Sequence, residues 1–428
     1  METTTAPRTS EETRTGPAAL ALICTGYFMV ILDATVTNVA LPSIGRGLHG
    51  SITGLQWVVD AYTLSFAALL LTGGAVARRA GGRAAGPGRG RGGPRTVVPV
   101  AAPGGVHRPT GSGPRVRPVG CHRRRRRGQR ARDRRGAGRC VELAGVFFLN
   151  LPFAVGALLA APRLAPVTRP RPRGVDLGGQ VLAVAGLGVL TAALVAAGRL
   201  GWAAPVVLAG FAVSAGAWAA FIAVEHRGAD PMLPLPLFAR RGFRTGTLVG
   251  FLINLGFYGQ LFVMSLCFQD VRGYSALRTG LALLPEAALL TIASAASGRL
   301  MARTGPRVPM LTGLLVGGAG LIGLVAAGPH TPYLMLVLPM IAAGSGMALT
   351  MPAATSAVVE SAPADRGGIA SGVVNAARQA GGVLGVAVLG SLVSVRATFI
   401  GGLRAGLIVA GCAFLAGAAL VSRSLTEG

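Results

Sequence analysis

Long apolar stretches recur along this chain and constrain its fold more than any other feature. A hydrocarbon core about 30 Å thick takes about 20 apolar residues in a helix. Stretches of that kind occupy 18–42, 54–76, 143–161, 177–198, 203–224, 245–268, 279–302, 308–328, 332–351, 368–394 and 399–421. Hydrophobic residues make up 51% of the 428, and only 13% are charged. A soluble globular domain carries about 25% charged residues, and a disordered chain has low hydrophobicity. Both are excluded, which leaves an all-α integral membrane protein. The first seventeen residues are polar and mixed in charge. The apolar run behind them is longer than a signal peptide's core, so no signal peptide is expected.

The net charge of +26 conflicts with so apolar a chain until it is located. Every basic residue is arginine. Nineteen of them lie between Arg78 and Arg139 against one acid, Asp133, a local charge of +18. The other 22 arginines meet 14 acids, leaving +8, ordinary for a membrane protein with basic cytoplasmic loops. Residues 84–140 hold 16 Arg, 13 Gly and 7 Pro, with no Leu, Ile, Met, Phe, Trp or Tyr. Such a stretch neither crosses a bilayer as a helix nor builds a core, and disorder is expected. The run Arg123–Arg127 would attract polyanions through charge alone. No aromatic residue is interleaved for base stacking, so no specific nucleic-acid partner is read. The five cysteines show no metal-ligand spacing, and there is no phosphate loop, nucleophile elbow or His cluster, so neither an enzyme nor ATP-driven transport is expected.

Small residues crowd the apolar stretches, as at Gly381, Gly382 and Gly385, where spacing by four lets helix backbones approach. An internal echo is also present. Gly74-Ala-Val-Ala-Arg78-Arg79-Ala-Gly81-Gly-Arg83 and Gly298-Arg-Leu-Met-Ala-Arg303-Thr-Gly305-Pro-Arg307 both read G-x4-R-x-G-x-R after a span. A loop repeated in two halves points to a duplicated transporter architecture.

Several motifs together resemble the major facilitator superfamily, in its fourteen-span branch of drug:proton antiporters. Leu32-Asp33-Ala-Thr35-Val-Thr-Asn38-Val-Ala-Leu41-Pro42 is similar to the branch's first-span signature. Leu55-Gln56-Trp57-Val-Val-Asp60-Ala-Tyr62 resembles its second-span opening. Phe147-Phe148-Leu149-Asn150-Leu-Pro152 resembles the start of its sixth span, and Ala370-Ser371-Gly372-Val-Val-Asn375-Ala-Ala-Arg378-Gln379 a late-span motif. The apolar pair at 177–224 matches the branch's extra central helices.

The resemblance implies a two-bundle helical transporter with about ten or eleven recognisable spans of fourteen. Its parts are a cytoplasmic tail (1–17), two spans (18–83), the Arg/Gly/Pro-rich segment (84–142) and a remnant sixth span with basic linker (143–176). A central pair (177–224), a linker (225–244) and a six-span C-terminal bundle (245–428) follow. Spans three to five should lie where the Arg-rich segment stands. A frame shift in a GC-rich gene, beginning near Arg78 and ending near Gly145, accounts for its composition. Three lost spans invert everything downstream unless 143–161 fails to cross, and Asn150 and Pro152 weaken it as a helix. The expectation is that it does not cross.

Asp33 lies within the first span, where a charged side chain is costly and faces a cavity. It is either a protonatable coupling site or a packing residue bonded to Thr35 and Asn38. Asp60, Glu286 and Arg378 are further proton or substrate candidates. Asp60 and Arg378 have plain alternatives, snorkelling and helix contact, and Glu286 matches no motif of the family. In the echoed loops Gly74, Arg79, Gly81 and Arg83, with Gly298, Arg303, Gly305 and Arg307, the resemblance implies a cytoplasmic gate. Positive-inside retention is the alternative. Arg78 replaces the loop's acidic partner in the first copy. The resemblance implies proton-coupled export of small amphipathic or cationic compounds from a bacterial inner membrane. The proton gradient is the driving force, the lipid bilayer is the surrounding partner, and no cofactor is required. The other reading is a membrane-inserted remnant that transports nothing.

Overall fold

The computed structural model describes residues 176–424, apart from 229–232, 234, 364–365 and 395–397. Asp33, Asp60, Gly74, Arg79, Gly81, Arg83, the segment 84–142 and the apolar stretch 143–161 lie outside the described residues.

Eight long helices follow one another. They are α1 (Leu177–Leu200), α2 (Pro205–Arg227), α3 (Arg241–Leu266), α4 (Ala276–Thr304), α5 (Arg307–Gly323), α6 (Tyr333–Glu360), α7 (Gly367–Leu392) and α8 (Phe399–Ser424). Each is long and apolar enough to cross a membrane. Local chemistry sets their ends. The Asp176 carboxylate accepts the Gly179 N–H at 2.8 Å and caps α1, Pro205 opens α2, and the Ser275 hydroxyl accepts the Arg278 N–H at 3.2 Å at the start of α4. Asp176 and Ser275 each satisfy a backbone donor that the first helical turn leaves without a partner, and Pro205 removes one.

All eight described helices coincide with stretches legible as spans, with their ends shifted. The connection expected at 352–367 begins only after Glu360, because α6 continues through Pro352. Neighbouring helices re-satisfy backbone groups that proline frees, so a membrane helix tolerates it. The linker expected at 225–244 shrinks at both ends. Arg227 closes α2 and Arg241 opens α3, since a helix continues past its apolar window while long side chains reach for water.

The core lies inside α3 to α8. Phe414 of α8 fills its centre, wedged between two glycines. A β-carbon on Gly256 of α3 would stand 2.9 Å from the ring, and one on Gly317 of α5 would stand 2.5 Å from it. α7 lies against α3 in the same manner, with Gly381 on the Phe251 carbonyl and Gly385 on the Leu255 carbonyl. The glycine spacing visible in the sequence is thus a helix contact. Lipid supplies no hydrophobic force between helices, so such close approach is a main source of their association.

α1 and α2 pair through the Ser214 hydroxyl, which donates to the Gly186 carbonyl at 2.8 Å. The pair docks on the bundle through Leu194 and Val195 against Ala387, and the Ser394 hydroxyl donates to the Gly198 carbonyl at 2.6 Å. Val206, Leu208, Val213 and Ile222 of α2 stay exposed, as a lipid-facing helix requires. At the far end of α3 a π-turn spans Cys267–Val271. Beyond it the Arg272 guanidinium donates to the carbonyls of Gly328 at 2.7 Å and Thr331 at 2.6 Å, tying this end to the α5–α6 connection.

Candidate functional site

α3 is the organising helix. It is apolar, yet Thr247, Asn254, Gln260 and Ser265 are all buried along it. Asn254 turns its amide back on its own helix, Nδ2 donating to the Gly250 carbonyl at 2.8 Å. Gly250 is also where Arg378 crosses from α7. A β-carbon on Gly250 would stand 3.2 Å from the arginine's Cγ and 3.3 Å from Val374, so the small residue gives passage to the methylene stem.

Further along α3 the Gln260 amide Nε2 donates to the Glu286 carboxyl Oε2 of α4 at 3.4 Å. Glu286 is 1% exposed and Gln260 0%. Gly344 of α6 closes the third side, where an added β-carbon would stand 2.8 Å from Glu286 Cγ and 2.7 Å from its carbonyl oxygen. Counted from the Arg272 end, all three residues fall at one depth. Each sits ten or eleven residues in, about 15 Å at 1.5 Å per residue, near the middle of a membrane. Pro285 precedes Glu286 within α4 and removes one backbone donor there. One turn away the Tyr333 hydroxyl donates to the Ala282 carbonyl at 2.9 Å.

Of the residues singled out in the sequence, Glu286 and Arg378 both pack on α3, but at different heights. Gly250 and Gln260 are ten residues apart, about 15 Å along the axis. Glu286 meets Gln260 and no arginine among the described residues. The carboxylate considered as a partner for Arg378 is therefore not Glu286. Gly298, Arg303, Gly305 and Arg307 run from the last two turns of α4 through its cap to the start of α5. Arg303 lies exposed in the last turn of α4 and Arg307 opens α5. Gly305 takes φ +73° and ψ −179° with its N–H on the Met301 carbonyl, an extended positive-φ cap open essentially to glycine alone.

Gln260, Asn254 and Gly344 were not singled out beforehand. Gln260 and Asn254 carried a usable signal, as uncharged polar residues inside an apolar span. Gly344 carried none, because only the neighbouring helix gives it meaning.

The described chain is a glycine-packed bundle of membrane-length helices, and its sequence repeats one G-x4-R-x-G-x-R motif. Residues 142–386 match the Major Facilitator Superfamily, and the chain belongs to that family. It is a multi-pass membrane protein. It is 30% identical over 442 residues to the methylenomycin A resistance protein of Bacillus subtilis (strain 168), covering 95% of this chain and 94% of the relative. It is 34% identical over 410 residues to the puromycin resistance protein of Streptomyces alboniger, covering 87% and 81%. It is 34% identical over 425 residues to the cephamycin export protein of Amycolatopsis lactamdurans, covering 89% and 86%.

Proposed function

We propose that this chain exports drugs or other small amphipathic compounds, cations among them, across the bacterial cytoplasmic membrane in exchange for protons. One observation carries the reading. Relatives named for antibiotic resistance or export align with 87–95% of this chain and with most of their own length. The chemistry of the bundle supports it. A carboxyl buried among apolar helices is costly unless it serves a pathway, and Glu286 is such a group. In this reading Asp33 carries the coupling proton, with Asp60, Glu286 and Arg378 contributing to proton or substrate handling. The two G-x4-R-x-G-x-R loops form the gate that opens and closes during alternating access. The proton gradient is the driving force, and no cofactor takes part.

The Arg-rich stretch 84–142, standing where the family has spans three to five, favours a second reading, an inserted but inactive remnant. The likeness to exporters over nearly the whole chain favours transport. Everted membrane vesicles carrying the full chain separate the two. Ethidium accumulation that starts with the proton gradient and collapses on adding a protonophore is the expected result. Accumulation equal to that of empty vesicles would leave the remnant reading standing.

A further inference from the structure

The Glu286–Gln260 pair contains an imbalance of donors and acceptors. Gln260 spends one amide hydrogen on Glu286 Oε2. Glu286 Oε1 and Gln260 Oε1 are both sealed from solvent, and neither receives a hydrogen bond among the described residues. Two buried acceptors without a donor are an expensive arrangement. A metal ion would need several more oxygens than these two, and the sealed atoms leave no room for a water. A proton is the one donor that needs no space.

We propose that Gln260 is the proton-sharing partner of Glu286, a positioning residue that holds the carboxylic acid in a closed two-bond ring between α3 and α4. The Glu286 hydroxyl on Oε1 donates to Gln260 Oε1, while Gln260 Nε2 donates to Glu286 Oε2. Carboxyl and amide are both planar forks, so when they lie in one plane a bond between one pair of atoms brings the other pair face to face. One proton thereby satisfies both orphan oxygens. When it leaves for water, the carboxylate turns a charged oxygen toward Gln260 Oε1. That repulsion breaks the ring unless the amide turns over.

Among the described residues no charged group competes for this carboxyl. α4 itself carries Arg278 near one end and Arg299 and Arg303 near the other. α3 offers Arg241, Arg244 and Tyr258, and its π-turn Cys267 and Asp270. α6 offers Tyr333 and Glu360 at its two ends, and α5 offers Arg307. Among the described residues the Glu286 side chain hydrogen-bonds Gln260 alone. Gly344 holds the acid in place from α6, so three helices meet on one proton. The consequence for a transport cycle rests on the exporter reading above. The protonated pair itself does not.

Infrared difference spectroscopy on the purified full chain in lipid nanodiscs tests the pair without substrate or gradient. The expected result is a protonated-carboxyl C=O band that is lost in Glu286→Gln. That variant keeps both hydrogen bonds with an amide and should fold as the parent does. In Gln260→Met the band persists but moves to higher frequency, as an acid without a hydrogen-bond partner does. A parent chain with no such band at any pH, or a band unmoved by Gln260→Met, overturns the proposal. Ethidium efflux is read separately, so a chain that shows the band but moves no ethidium defeats the exporter reading only.

Discussion

Gly344 of α6 presses on Glu286 of α4 so closely that a single added carbon would stand 2.7 Å from the glutamate carbonyl and 2.8 Å from its Cγ. The first of those atoms is backbone and does not swing aside. Gly344→Val therefore forces the two helices apart at the depth of the buried carboxyl. Overpacking of this kind costs about 1–3 kcal/mol. The expected outcome is a lower Tm in detergent together with reduced efflux. Gly216→Ala is the control, because a β-carbon there meets nothing within 4 Å, and it should change neither.

The α4–α5 turn separates backbone from charge. Gly305 sits at φ +73° with open space around its β position, so Gly305→Ala is penalised by conformation alone, by about 1–2 kcal/mol. Arg303 is exposed at the end of α4, where it also complements the helix dipole. Arg303→Ala should leave Tm nearly unchanged. If the loop is a gate, it should lower ethidium efflux several-fold at equal expression, as read in everted vesicles. Efflux equal to the parent's would reduce Arg303 to topology retention.

The helices were largely legible because a membrane span declares itself by length and hydropathy alone, and all eight described helices fall on such stretches. The apolar stretch read at 332–351 stops short of Pro352, whereas α6 carries that proline inside a packed bundle and runs on to Glu360. The site was legible only in part. A charged residue inside a span, such as Glu286, draws attention by cost. The residue that completes it, Gln260, lies 26 positions earlier on another helix, and sequence spacing says nothing of that pairing. Gly344 is one of 65 glycines, and only its closeness to Glu286 distinguishes it.

Arg272 fastens one end of the bundle. Its guanidinium reaches the Gly328 carbonyl through Nε and Nη2 and the Thr331 carbonyl through Nη2, and it lies 5.7 Å from the centre of the Phe268 ring. Lysine is a point charge without the planar fork and does not reproduce this set. Arg272→Lys should cost about 1 kcal/mol, seen as a lower Tm, while Arg278→Lys, which stacks 4.0 Å over Tyr274, should cost less. Faster amide exchange confined to residues 328–333 in Arg272→Lys would locate the loss at the α5–α6 connection.

Topology at Arg173 tests the expectation that the Arg-rich segment has removed three spans. With the N-terminus cytoplasmic, two crossings return the chain to the cytoplasm at Arg79. A further crossing at 143–161 would then place Arg163, Arg169, Arg171 and Arg173 outside, against the preference of arginine for the cytoplasmic side. It would carry Arg303 and Arg307 outside with them. Paired reporter fusions after Arg173 distinguish the arrangements. A cytoplasm-active fluorescent reporter should light up and a periplasm-active phosphatase should stay silent. If the segment is the product of a frame shift, restoring the reading frame across 78–145 adds three crossings and lets 143–161 cross as well, an even total. The same pair of reporters should then give the same answer, now with 143–161 in the membrane and closed to a membrane-impermeant thiol probe on cysteines introduced along it. Phosphatase activity after Arg173 in the unrestored chain would mean that 143–161 crosses and that the C-terminal bundle is inverted.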